Sequence, residues 1–476
     1  MTMSNGAEGN RASRSQSWLR AGGRASLAVG AAVAGAALVA GVALVPGPSF
    51  GPTVPTVSVT PDRADQSLVC AGGALGLTRG DDPQLAVIEP ERRHATGSGL
   101  VTSTLASNDV IDGSAVVVTL PREAPGDALA ATGIVRPTTP DLAGLAAAEC
   151  LTPSRTSWLV GGSTTVGRTT WIVLSNSDAV DAVVDLALWG DAGPIDAVGT
   201  TGIIVAAGSQ RVVSLAGVAV DEPSPVVRVS STGGSVAATL QTSVVRGLTP
   251  SGLSIVTPLA EPAVRHVIAA LPVINGQLAL ESSTADGGAD GLPALRMLAP
   301  GDAAAQVTVR LVGLDGAAGL VTEATLEPGV VLDLPLTNLA DGEYAVIVDA
   351  TEPIVVAART STAGIESADL EWFSPSPALP ADTEVLVAVP PLDDDVSALI
   401  HLLAPEGAAQ VTIDGTVVSI AAGGMVIVPS ASNAGVRLSA NGTVHASVSY
   451  RGEGVLAGSR VLAPPSAVGP LTVLPQ

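Results

Sequence analysis

The side chains able to carry chemistry are few and dispersed. His94, His266, His401 and His445 lie in four separate regions, and no two have the spacing of metal ligands. No His-Glu-x-x-His pair occurs, and a chain without lysine has no P-loop. No catalytic residue and no cofactor is expected, and the chain reads as a non-enzyme. The densest acidic run is Asp393-Asp394-Asp395. Calcium takes several oxygen ligands, which acidic loops can supply, so this run is the one metal candidate. The favoured reading is a solvated turn before a strand at Ala398, and Asp81-Asp82 ahead of Pro83 reads the same way. Tryptophans are the usual platform for stacking sugars. Trp171 lies inside an apolar run and is expected in a core. Trp189 precedes Gly190-Asp191 at a strand end, which makes it the better candidate for a ligand contact. Trp158, in Trp158-Leu-Val-Gly161-Gly162, is expected at an inter-domain corner, with ligand contact as its second reading. Cys70 and Cys150 are the only cysteines. Their pairing is the simplest expectation, with two buried thiols as the alternative. A bridge closing about 80 residues is worth roughly 4.5 kcal/mol in the chain-entropy account.

What must position these residues is an apolar, acidic chain. Of its 476 residues 47% are hydrophobic, 14% charged and 2% aromatic. Such a composition builds packed cores from Ala, Val and Leu and rules out a disordered chain. Of 22 arginines and 44 acidic residues, four arginines (Arg11, Arg14, Arg20, Arg24) and one acid (Glu8) fall within residues 1–24, so the remainder carries 18 against 43. A surface this acidic repels phosphate backbones, and no nucleic acid is expected as partner.

Residues 25–45 run without a charge. Twenty-one helical residues span about 31 Å, the thickness of a bilayer core. With all nearby arginines on the N-terminal side, residues 1–24 are expected in the cytoplasm and everything after Val45 outside. The reading is a single-pass membrane protein anchored through 25–45, or a secreted one if the segment is cleaved. Residues 46–61 hold five prolines and read as a stiff spacer.

Beyond the spacer, short Val/Ile/Leu/Thr runs are bounded by turn residues, the pattern of an all-β chain. Val307-Thr308-Val309-Arg310-Leu311 alternates, placing three apolar side chains on one face. Residues 141–150 are the exception and read as a short helix. Three stretches repeat one order of elements. Each has an apolar strand and turn (from Trp171, Ala294 and Ala398), then a strand–Gly–strand element (from Val205, Leu326 and Ile420), then a hairpin (from Val226, Tyr344 and Gly435). Asn441-Gly442 signals a type I′ hairpin turn. The expected architecture is an all-β ectodomain of tandem immunoglobulin-like β-sandwiches after one N-terminal transmembrane helix. The repeats would occupy 156–262, 263–382 and 383–476, each long enough to fold alone. Residues 62–155, with both cysteines, are either a fourth divergent unit or strands completing the first sandwich.

The residues around the second cysteine are the most distinctive: Cys150-Leu-Thr-Pro153, Trp158-Leu-Val-Gly161-Gly162, Gly167-Arg168 and Leu174-Ser-Asn176. The chain resembles an actinobacterial family of membrane-anchored, secreted proteins, domain-of-unknown-function family 5719, over nearly all of its ectodomain. Ala71 and Ser177 stand where that family's pattern leads one to expect proline. The resemblance implies a surface location and assigns no catalytic residue. The function expected is presentation of an acidic β ectodomain to envelope proteins or glycans. The alternative is a carbohydrate-active enzyme or an accessory subunit of an envelope glycan enzyme, which would need a cleft with paired carboxylates.

Overall fold

The computed structural model describes residues 57–59, 64–111, 113, 115–124, 128–283, 288–314, 318–362, 368–463 and 471–473. The tail 1–24, the expected membrane segment 25–45 and all of the spacer except Val57–Val59 lie outside them. Among the described residues no helix is long and apolar enough to cross a membrane. Two compact units are present. In the smaller, Val57–Val59 pairs antiparallel with Leu471–Val473. The larger runs from Asp62 to Ala467, and its described residues are all-β apart from one short helix, Gly276–Ser282, and two turns of 3₁₀ helix.

Period-two alternation builds each strand. Ala182–Gly190 buries every second side chain, so Val184, Leu186 and Leu188 enter a core while Asp185 faces out. In the second repeat Val307, Val309 and Leu311 are buried, and Arg310 points out to pair with Asp349.

The second repeat shows the topology. In chain order its strands are Ala263–Val273, Ala294–Leu298, Ala305–Gly313, Ala318–Leu326, Val331–Pro335, the two halves of Gly342–Thr362, and Asp369–Phe373. Counting the halves as sixth and seventh, one sheet has the order fourth–third–sixth–first and the other fifth–second–seventh–eighth. The strands within 156–256 and within 385–460 pair in the same two orders. Residues 66–149 follow a reduced version. Gln66–Val69 and Val101–Thr104 flank Val116–Leu120, and Arg92–Thr96 and Ala146–Glu149 flank Ala130–Val135. This segment has its own core around the Cys70–Cys150 disulfide, with Val116, Val118, Leu120 and Leu129. It also lends Ala106–Ser107 as an edge strand to the first repeat.

Two local expectations are corrected. The closing element of each repeat is an arch between the two sheets, not a hairpin. Ala434–Ala440 pairs with Val385–Val389 and Ala409–Ile413, whereas Val444–Gly452 pairs with Ser397–Ala404. Neither Asn441 nor Gly442 has the positive φ that a type I′ turn requires. Asn441 instead accepts the Gln410 amide on its side-chain oxygen at 2.8 Å. A turn dipeptide reverses the chain, but the burial of both arms decides whether they pair or face one another. Residues 141–150 contain a strand, Ala146–Glu149, buried along its whole length. An apolar run covered on both faces has no period to distinguish strand from helix.

The last strands of all four segments, Ala146–Glu149, Thr249–Val256, Asp369–Phe373 and Val455–Arg460, pack against one another. At their start the buried Asp369 carboxylate accepts four backbone N–H groups, from Leu145 (2.7 Å), Leu253 (3.0 Å), Leu370 (3.0 Å) and Leu456 (3.1 Å), one from each segment. The approach is so close that a Cβ on Gly144 (φ +146°) would sit 2.7 Å from the Asp369 carboxylate. Nearby, Glu149 of the N-terminal segment binds Arg460 of the third repeat at 2.6 Å.

The disulfide fastens the first segment to its own last strand. Replacing both Cys70 and Cys150 with Ser is expected to remove roughly 4 kcal/mol by relaxing an unfolded loop of that length. Differential scanning calorimetry under non-reducing conditions checks this, and an unchanged melting temperature would count against it.

Candidate functional site

The first repeat's outer sheet face brings two of its tryptophans together. Val226–Gly233 runs between Thr156–Val160 and Ala182–Gly190. Register sets Trp158 opposite Arg228, Ala187 opposite Arg228, and Trp189 opposite Val226. Because Leu186 and Leu188 point into the core, Ala187 and Trp189 point away from it, as do Arg228 and Trp158. The two indoles stack with centroids 5.2 Å apart and an interplanar angle of 27°. The Arg228 guanidinium lies 5.8 Å over the Trp158 ring.

Loops of the second repeat close over this face. Pro262, Pro300, Asp302, Glu352 and Pro353, with the two indoles and Arg228, line a cavity of about 540 Å³. Trp158 is 4% exposed, its backbone exchanges two hydrogen bonds with Leu259, and its buried indole Nε1 has no hydrogen-bond partner. Trp189 is half-buried. The chemistry offered is the half-buried Trp189 ring, one guanidinium and two exposed carboxylates. That set suits a polyhydroxylated ring, which stacks its C–H face on indole and hydrogen-bonds through its edge.

The other sequence candidates have structural partners. Asp393 binds Arg92 at 2.6 Å and Arg136 at 3.2 Å, and Asp395 binds Arg136 at 2.7 Å. The Arg92 and Arg136 guanidinium groups hold the Asp393 carboxyl below its usual range. The acidic run therefore ties the third repeat to the N-terminal segment, and Asp394 is left exposed. Among the described residues no group of three or more His, Cys, Asp or Glu is placed to hold a metal. Asp81 and Asp82 are exposed in a turn. The histidines remain apart. His94 meets Asn433, His266 the Ile354 carbonyl, His445 the Ser376 carbonyl, and His401 the Ser449 hydroxyl, where burial pushes the imidazole down to about 3. Trp171 is half-buried between the first repeat and the N-terminal segment, against Leu75 and Val110.

Sequence reasoning named both indoles and missed Arg228 and the facing wall. Nothing in the sequence links Trp158 to residues 300–303 or 352–353; only the docking of one repeat on the next does so.

The sequence model of the family of unknown function DUF5719 matches residues 105–424. No curated protein matches. Among solved structures, the crystal structure of Thermotoga maritima 1070 is similar at 18% identity with a TM-score of 0.21, over 24% of this chain and 93% of that one.

Proposed function

The chain belongs to the family of unknown function DUF5719, and we propose that it is a non-enzymatic cell-envelope protein whose acidic β ectodomain binds a glycan or protein partner in the Trp158–Trp189 cleft. The observation that carries the reading is the half-buried Trp189 ring, stacked on Trp158 and set with Arg228 in the wall of a cavity of about 540 Å³. Placement outside the membrane rests on the uncharged run 25–45 behind its four arginines. The repeats are read as tandem sandwiches. Immunoglobulin likeness is kept only at the level of two facing sheets, because here the first strand flanks the sixth, where an immunoglobulin domain sets it beside the second.

The enzyme alternative draws on Asp302 and Glu352 in the same cleft. Both are solvent-exposed and lack the apolar enclosure that a general acid needs. Binding is the better account.

The test is calorimetric titration of the full-length chain with oligosaccharides released from the producing cell's envelope. Trp189→Ala is expected to weaken binding about tenfold, equivalent to ~1.4 kcal/mol, and Trp189→Phe to retain most of it. Equal affinity in Trp189→Ala and wild type would remove the cleft from the function.

A further inference from the structure

The tryptophan cleft holds charges of both signs that do not pair with one another. Among the described residues, the charged ones that line it are Arg228, Asp302 and Glu352. All three are exposed. No ion pair joins Arg228 to either acid, and none joins any of the three to another described residue. Arg211, elsewhere on the first repeat, shows the commoner arrangement and binds Asp109 at 2.8 Å.

The charges are kept apart because they stand on different walls. Arg228 belongs to the sheet of the first repeat. Trp189 is opposite Val226, and Arg228 follows two residues on, so the two are diagonal neighbours on one sheet face. Such neighbours have Cβ atoms about 7–8 Å apart or less. The Arg228 guanidinium lies over the Trp158 ring at 5.8 Å, and a guanidinium stacked by its face keeps its N–H edge for an acceptor. Asp302 and Glu352 belong to two turns of the second repeat. The Gln306 amide donates to the Thr351 hydroxyl at 3.0 Å, which ties these turns side by side and sets both acids on one wall. A ring resting on Trp189 therefore has a cation at one edge and two carboxylates on the wall contributed by the other repeat.

Charge complementarity selects among sugars that could stack there. A purely acidic sugar pairs with Arg228 and is repelled by Asp302 and Glu352. A purely basic one pairs with the acids and is repelled by Arg228. A neutral one uses none of the three. We propose that the ligand of this cleft is a sugar ring carrying both a carboxylate and a free amino group, with the carboxylate on Arg228 and the ammonium between Asp302 and Glu352. This rests on the reading of the cleft as a glycan site and names the class of glycan.

The test is calorimetric titration of the full-length chain, at pH 7 and matched ionic strength, with four probes: muramic acid, glucosamine, glucuronic acid and N-acetylglucosamine. Muramic acid, which carries both groups, is expected to bind about three- to fivefold more tightly than any of the others, the range for one exposed ion pair. Arg228→Gln should bring muramic acid down to the affinity of glucosamine and leave glucosamine no weaker. Asp302→Asn with Glu352→Gln should bring it down to that of glucuronic acid. All three side chains are exposed, so these variants are expected to melt as wild type does. Equal affinity for all four sugars would overturn the proposal and leave the glycan site standing. Glucuronic acid or glucosamine binding as tightly as muramic acid would overturn it too, by showing that one sign of charge is enough. Binding of none of the four would also overturn it, and the titration with envelope oligosaccharides then decides separately whether the cleft binds glycan.

Discussion

Asp369→Asn is expected to lower the melting temperature of the whole Asp62–Ala467 unit in one cooperative transition, rather than to unfold the second repeat alone. Each carboxylate oxygen of Asp369 accepts two backbone N–H groups. A carboxyl keeps a lone pair on both oxygens whether or not it holds a proton, whereas an amide nitrogen in place of one oxygen has none to offer, so two buried N–H groups lose their acceptor. At ~1–3 kcal/mol for each such group the cost is roughly 2–6 kcal/mol, a large part of a domain's usual 5–15 kcal/mol or so. Because the four donors come from four segments, the loss is shared among them. Burial, opposed by these four amides, pushes the Asp369 carboxyl up to about 8. The folded state thus holds this proton to higher pH than the unfolded chain, whose Asp titrates near ~3.9. The stability it contributes is fully present below that value and declines as pH rises toward about 8. In Asp369→Asn this decline should be shallower. Calorimetry between pH 4 and 9 checks both points. Separate transitions, with the first and third repeats melting as in wild type, would show that the carboxylate does not join them.

That carboxyl shared by four segments is the feature least legible in the sequence. Val307, Val309 and Leu311 announce a strand with one buried face because alternation is written into neighbouring residues. The three-fold order of strand, Gly turn and arch is equally local, and it aligns strands that pair identically in all three repeats. Asp369 and its partners are separated by up to 224 positions, and an aspartate beside leucine looks like any loop acid. The arches show the same limit on a smaller scale: Asn441-Gly442 reports a reversal, while the choice between one sheet and two depends on what covers each arm. Of the candidate cleft, aromatic identity was readable and enclosure was not. Trp158 gives no sign in sequence that Pro300 and Pro353 will cover it. The sequence reading of separately folding repeats rested on length, and length does not reveal that Ile134, Leu145 and Ala147 of the N-terminal segment enter the third repeat's core.

Arg296→Met is expected to be the other severe substitution, at roughly 3–5 kcal/mol, the range for removing one partner of a buried ion pair. Arg296 is 1% exposed on a strand buried on both faces, with Leu295 and Met297 in its own repeat's core and Leu298 against the first repeat. Its guanidinium binds Asp333 with two nitrogens, at 2.8 and 2.9 Å, and donates to the carbonyls of Gly162 (2.7 Å), Pro223 (2.9 Å) and Pro225 (3.3 Å). Methionine fills much of the volume and satisfies none of these acceptors. Burial alone would raise the Asp333 carboxyl, but Arg296 outweighs it and holds the group below its usual range. Its contribution is therefore present at neutral pH and lost as pH falls through that lowered value. The variant should be most impaired near pH 7 and closer to wild type near pH 4, where Asp333 can take up a proton. Adding Asp333→Leu separates the two duties of the arginine. If Arg296 served only to neutralise Asp333, the double variant would regain wild-type stability, as apolar replacements of buried ion pairs often do. Three carbonyls of the first repeat lose their donor in either variant, so the double variant is expected to remain at least 1–2 kcal/mol or so below wild type. Full recovery would show that Arg296 does not join the two repeats.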